Sequence, residues 1–192
     1  MMQLILASSS PFRQAVLKKL PLDFKTDTPD VDENPLPDET PEQLVKRLAE
    51  AKAQAIAARY PHSLIIGSDQ VAVLNGEILG KPGNHDNAII QLRKASGQQV
   101  IFQTGLCLLN TDTGKTQVSC VPFKVQFRPL SNEQIERYLD YEKPYNSAGS
   151  FKSEGLGITL FESLQGDDPN TLIGLPLIEL VRMLENEGIT LP

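Results

Sequence analysis

The chain has 192 residues, of which 40% are apolar and 22% charged, and its formal charge is −6. These values suit a soluble globular protein built as a single domain over residues 1–192, or as two small lobes sharing a core. The negative balance excludes a general binder of nucleic-acid polymers, which needs a basic face, but leaves room for a small polyanion held by a few placed cations. No apolar run is long enough to span a bilayer, and Met1–Ser8 lacks the basic start and long apolar stretch of a signal peptide. No membrane association and a cytoplasmic location are therefore expected.

Residues Gln3–Ala7 read as a first strand, followed by Ser8-Ser9-Ser10-Pro11-Phe12-Arg13 at the start of a helix to about Leu20. Ser10 suits the N-cap and Pro11 the first helical position. Arg13 falls in the first turn, where the helix dipole disfavours a cation unless an anion binds there too. Two readings fit: a phosphate cradle of hydroxyls and backbone N–H groups, or a serine-rich turn with a surface arginine. From Asp27 to Pro41 the chain is dense in proline and acid, with Glu33 among six carboxylates. It reads as a loop, either a solvated connection or one that turns an acid toward a hard cation such as Mg²⁺.

Thr40-Pro41-Glu42-Gln43 is a capping box opening a helix to about Tyr60. Its cations, Lys46, Arg47 and Lys52, read as mostly solvated. Next comes Ile65–Leu74, a strand apolar at both ends with Ser68-Asp69-Gln70 in its middle. A carboxylate in such a place needs a cation, a metal or several donors. Asp69 is thus either a functional acid or a structural one satisfied by backbone N–H groups. Asn75-Gly76 signals a hairpin whose return strand, Glu77–Leu79, ends at Gly80-Lys81-Pro82 and brings Lys81 back toward the Asp69 region. A Walker A loop is excluded, because the Gly76–Lys81 spacing is one residue short and Pro82 replaces the hydroxyl residue.

A helix capped by Asn84 runs to about Ala95, strands cover Val100–Leu109 and Thr116–Phe127, and a second capping box at Ser131 opens a helix to about Tyr141. Gly155–Phe161 reads as a short strand, 166–170 as a turn, and Gly174-Leu175-Pro176 as the start of the last helix, ending near Gly188. Cys107 and Cys120 form no CxxC and read as small core residues, and His62 and His85 lie in polar connections, so a histidine metal site or a Ser-His-Asp triad has little to draw on. The element order is that of an α/β protein with a mixed sheet.

A serine- and arginine-bearing helix start, an acidic loop, a strand-borne aspartate and a returning lysine together suit a site for a polyphosphate and a divalent cation. At this level the sequence resembles the Maf-like nucleotide pyrophosphatases nearly end to end. The carriers are Leu6–Arg13, Val31-Asp32-Glu33, Ile66–Gln70, Gly80-Lys81-Pro82, Ser96-Gly97, Thr104-Gly105, Ala148–Lys152 and Gly174–Leu177. The resemblance implies a strongly twisted central sheet flanked by helices, two lobes with a cleft as in the inosine-triphosphatase-like folds, and a homodimer. It implies hydrolysis of a nucleoside triphosphate to monophosphate and pyrophosphate with Mg²⁺ or Mn²⁺. Asp69 matches the general base and, with Glu33, a metal-associated carboxylate; Ser8, Ser9, Arg13, Lys52 and Lys81 match phosphate binders.

Where the commoner pattern of the family has arginine, threonine and glutamine, this chain has Phe12, Gln70 and Glu154. That departs from the branch acting on thymidine and uridine triphosphates and is similar to the branch acting on 7-methyl-GTP. The replacements make chemical sense: an aromatic ring stacks on the cationic N7-methylguanine, a carboxylate accepts from its N–H edge, and an amide reads a carbonyl or amino group. The alternative expectations are a pyrophosphatase for other canonical or modified nucleoside triphosphates, and a nucleotide-binding regulator of cell division.

Overall fold

A computed structural model describes residues 2–192. In chain order the elements are β1 (Gln3–Ala7), α1 (Pro11–Leu17), β2 (Phe24–Asp27), α2 (Pro41–Ala57), β3 (Ser63–Leu74), β4 (Glu77–Leu79), α3 (His85–Ala95), β5 (Gln99–Asn110), β6 (Thr116–Phe127), α4 (Asn132–Glu142), β7 (Phe161–Gln165), α5 (Asn170–Ile173) and α6 (Leu177–Asn186). The strands pair in the order β2-β1-β3-β5-β6-β7, with β4 on β3. β1 is parallel to β2 and β3, whereas β3–β4 and β6–β7 are antiparallel. The α/β class and the mixed sheet are as expected from the sequence.

The chain forms two compact units, one of Met1–Gln70, Thr104–Val121 and Asp168–Pro192, the other of Val71–Gln103 and Pro122–Asp167. In the first unit the period-2 alternation of the strands separates two cores. Leu4, Leu6, Leu64, Ile66, Leu106 and Leu108 meet Val16 and Leu17 of α1 and Leu177, Leu180, Met183 and Leu184 of α6. The intervening residues Ile5, Ala7, Ile65, Cys107 and Leu109 meet Ala49, Ala53 and Ile56 of α2. Helix α2 lies directly on the strand backbones, for a Cβ added at Gly67 or at Gly105 would sit 2.0 Å from the carbonyl oxygen of Ala49 or Val45 respectively. The second unit is centred on four rings, Phe102, Phe127, Phe151 and Phe161, in edge-to-face contact with centroids 4.9–5.6 Å apart.

Both capping boxes form, Thr40 with Gln43 and Ser131 with Gln134, and the Asn75-Gly76 turn closes the β3–β4 hairpin with φ of 51° and 86°. Four expectations need correction. Helix α1 stops at Leu17, with tight turns to Leu20, because Pro21 disfavours helical backbone in the residue before it. Strand β2 was not expected; it is a half-exposed edge strand stabilised by its ladder to β1 rather than by a local pattern. Gly155–Thr159 coils instead of extending, since the amides of Gly155 and Gly157 both donate to the Lys152 carbonyl, and the strand begins only at Phe161. The presumed turn at 166–170 runs into α5, and the last helix starts at Leu177. Neither cysteine is in a disulfide, and burial pushes their thiols up, to about 12 for Cys107 and about 11 for Cys120. Among the described residues no helix is long and apolar enough to cross a membrane.

Candidate active site

The alternation that builds the two cores also distributes the polar middle of β3. Gly67 and Asp69 face α2, while Ser68 and Gln70 face the α5–α6 segment. Because Gly67 lets α2 approach so closely, Lys52, one turn beyond Leu48 and Ala49, reaches Asp69. Its ammonium lies 2.6 Å from Asp69 Oδ1 and 2.7 Å from Glu33 Oε1. Lys52 and Asp69 are 6% and 8% exposed, so each charge is taken out of water and is compensated by the other. Of the two readings of Asp69, the purely backbone-satisfied one is thus set aside. Lys52 is also no solvated helix decoration.

Glu33 is presented by the acidic loop, which a third helix cation holds down. Arg47 donates to both carboxylate oxygens of Glu39, at 2.6 and 2.8 Å, and to the Asn34 carbonyl at 3.1 Å. Arg47 holds the Glu39 carboxyl down from its ordinary 4.5 to about 2. The carboxylates of Glu33 and Asp69 both close on the Lys52 ammonium, which sets two hard oxygen donors, the type a divalent cation prefers, on either side of one lysine. Among the described residues no group of three or more His, Cys, Asp or Glu is placed to hold a metal ion.

On the opposite face the carbonyl of Gly174 accepts from Arg13 Nε at 2.9 Å and from Ser68 Oγ at 2.8 Å. Gly174 has φ 109°, and a Cβ there would meet Arg13 Nε at 3.1 Å. Burial lowers the pKa of the Arg13 guanidinium, while Asp69 and Glu33 raise it. Two cations, Arg13 and Lys52, therefore stand in the field of two acids. Ser8 is buried and accepts from the Ser10 amide at 3.1 Å, shaping the entry to α1; Ser9 is exposed. Phe12 is 43% exposed, a ring offered to solvent and not a core residue.

Gln70 places its amide nitrogen 2.8 Å from Thr104 Oγ1 and 2.7 Å from the Thr171 carbonyl. Its donors are thus spent within the protein, on Thr104 and the α5 backbone. Asp168, only 2% exposed, accepts from the amides of Asn170 and Ile178 and so ties α5 to the first turn of α6. Sequence reasoning missed the roles of Ser68, Asp168 and Thr171 here; Asp168 carried no signal beyond a turn.

Lys81 and Glu154 belong to the second unit and are exposed. Lys81 follows β4, and Glu154 lies in a loop braced by Glu142, whose carboxylate pairs with Lys152 Nζ at 3.2 Å and accepts from the Leu156 amide at 2.8 Å. The bonds of the first unit thus join Glu33, Lys52 and Asp69 in one cluster and Arg13 and Ser68 in another, and anchor Gln70 beside them.

Comparison with known proteins adds to this geometry. The family model described as Maf-like protein matches residues 3–187. Three curated relatives are each named 7-methyl-GTP pyrophosphatase. The protein of Alcanivorax borkumensis is 62% identical over 189 residues, covering 98% of this chain and 96% of its own. That of Nitrosococcus oceani is 58% identical over 185 residues, covering 96% and 93%, and that of Vibrio vulnificus 58% over 187 residues, covering 97% and 96%.

Proposed function

We propose, for a chain that belongs to the Maf-like family, that it is a nucleoside triphosphate pyrophosphatase hydrolysing 7-methyl-GTP and water to 7-methyl-GMP and pyrophosphate. The observation that carries the chemistry is the buried Lys52–Asp69 pair with Glu33 on the same ammonium. Lys52 occupies one oxygen of the Asp69 carboxylate, at 2.6 Å. The other oxygen accepts a proton from the attacking water as the anhydride between the α and β phosphates breaks. Arg13 and Lys52 supply fixed positive charge to the phosphate chain, and their positions are set before substrate arrives, by Gly174 and Asp69. Ser8, Ser9 and Lys81 are the further phosphate contacts. Glu33 and Asp69 would hold a Mg²⁺ or Mn²⁺ ion, which when bound neutralises phosphate oxygens and lowers the pKa of water.

Base selection falls to Phe12, whose exposed ring stacks on the cationic 7-methylguanine, to Gln70 through Oε1, and to Glu154. The test is pyrophosphate release from 7-methyl-GTP, GTP, CTP, UTP and dTTP in parallel, with and without a chelator. Preference for 7-methyl-GTP, lost on chelation, is expected. Asp69→Asn should lower kcat by about 10²–10⁴-fold with the protein still folded. An unchanged rate in that variant would remove Asp69 from the mechanism, and a flat substrate profile would remove the three selectivity roles.

A further inference from the structure

Lys81 and Glu154 are 73 residues apart in the chain, yet one side chain of the second unit bonds to both of their segments. Gln91, half-buried on α3, donates from Nε2 to the Gly80 carbonyl at 3.0 Å and accepts at Oε1 from Ser150 Oγ at 2.5 Å. On the Lys81 side, Asn87 Nδ2 donates to the Pro82 carbonyl at 2.9 Å and the Gly83 amide donates to the Tyr145 carbonyl at 2.9 Å. Lys81 therefore extends from a backbone pinned on both flanks.

On the other side, Ser150 is fully buried and has φ 63°, a conformation a serine keeps only when its surroundings impose it. Directly after it Phe151 enters the aromatic core, the Lys152 amide donates to Tyr138 OH at 3.1 Å, and Glu142 fixes Lys152 and Leu156. Ser150 thus stands four residues before Glu154 on a short, braced loop. An amide is suited to the position, because it offers a donor to a carbonyl and an acceptor to a hydroxyl from one rigid plane.

The geometry points to Gln91 as a positioning residue that holds the Lys81 segment and the Glu154 loop in one arrangement, coupling phosphate binding to base selection. The inference rests on the pyrophosphatase reading, in which Lys81 meets phosphate and Glu154 meets the base.

Three variants separate the two arms. Gln91→Met keeps the length and loses both bonds. For it, kcat/KM with 7-methyl-GTP should fall about tenfold, mainly through KM, and the preference over GTP should fall severalfold. Gln91→Glu keeps the acceptor for Ser150 and loses the donor to Gly80, so KM rises while the preference stays. Ser150→Ala does the reverse. A merely structural glutamine would lower Tm and leave the ratio of the two substrates untouched, and that result overturns the proposal, as does a kcat/KM within twofold of the parent protein. Amide hydrogen exchange supplies a readout independent of turnover. Gln91→Met should speed exchange both at Gly83 and over 152–156, and acceleration at only one segment or at neither overturns the proposal. A parent protein that releases no pyrophosphate from any triphosphate refutes the functional reading, and exchange alone then decides the role of Gln91.

Discussion

Replacing Gly67 by alanine puts one methyl group into the contact that brings Lys52 to Asp69. The added carbon would lie 2.0 Å from the Ala49 carbonyl oxygen and 3.1 Å from the Ala53 amide nitrogen, both backbone atoms of α2 that cannot rotate away. To reach even the 3.0 Å below which Cβ contacts essentially never occur, the helix has to retreat by about 1 Å. Carried to Lys52 with its stem unadjusted, that retreat would lengthen the 2.6 Å bond to Asp69 to roughly 3.6 Å, outside hydrogen-bonding range. Overpacking of this kind costs about 3 kcal/mol, which in a chain of this size lowers Tm by roughly 6–12 °C. Thermal unfolding and urea titration of the Gly67→Ala protein measure the loss. Pyrophosphate release per folded molecule should fall as well, though less than in Lys52→Met, because the flexible lysine stem follows part of the displacement. A Gly67→Ala protein that melts within about 2 °C of its parent, the low end of what 1 kcal/mol would produce, would refute the claim that this contact sets the distance between helix and strand.

Two further expectations concern the rim of the site. Phe12→Ala should leave stability within about 0.5 kcal/mol, as for other exposed positions, while reducing discrimination of 7-methyl-GTP over GTP by about 2- to 30-fold, the range of a cation–ring contact; competition of the two nucleotides in one assay measures this, and unchanged discrimination would count against stacking. The loop that presents Glu33 should loosen in acid. Because Arg47 holds the Glu39 carboxyl down from 4.5 to about 2, their contact is fully present above pH 4.5 and is lost as the pH falls toward 2. An NMR titration should find Glu39 well below 4.5 in the parent and back near it in Arg47→Met, with faster exchange of the Leu36 amide, which donates to Glu39 at 2.9 Å. A Glu39 that titrates at 4.5 in the parent would show that the contact does not persist in solution.

Signals confined to a few adjacent residues were legible from the chain. The capping boxes at Thr40 and Ser131, the Asn75-Gly76 hairpin and the apolar strand interrupted at Asp69 all appear where expected, since each depends on hydrogen bonds or backbone angles within about four residues. The polar middle of β3 also marked the site by itself, because a carboxylate among apolar neighbours has to be answered by something. What answers it was not legible. In the sequence Lys52 looks no different from Lys46 and Arg47 on the same helix until Gly67 brings α2 against β3, and the partner of Arg13 is a carbonyl 161 positions away. Strand β2 and helix α5 were invisible for the same reason, since ladder pairing with β1 and the Asp168 and Gln70 bonds stabilise them. Sequence determines which groups must find partners; the close approach of one helix to two glycines, a long-range packing event, decides which partners are within reach.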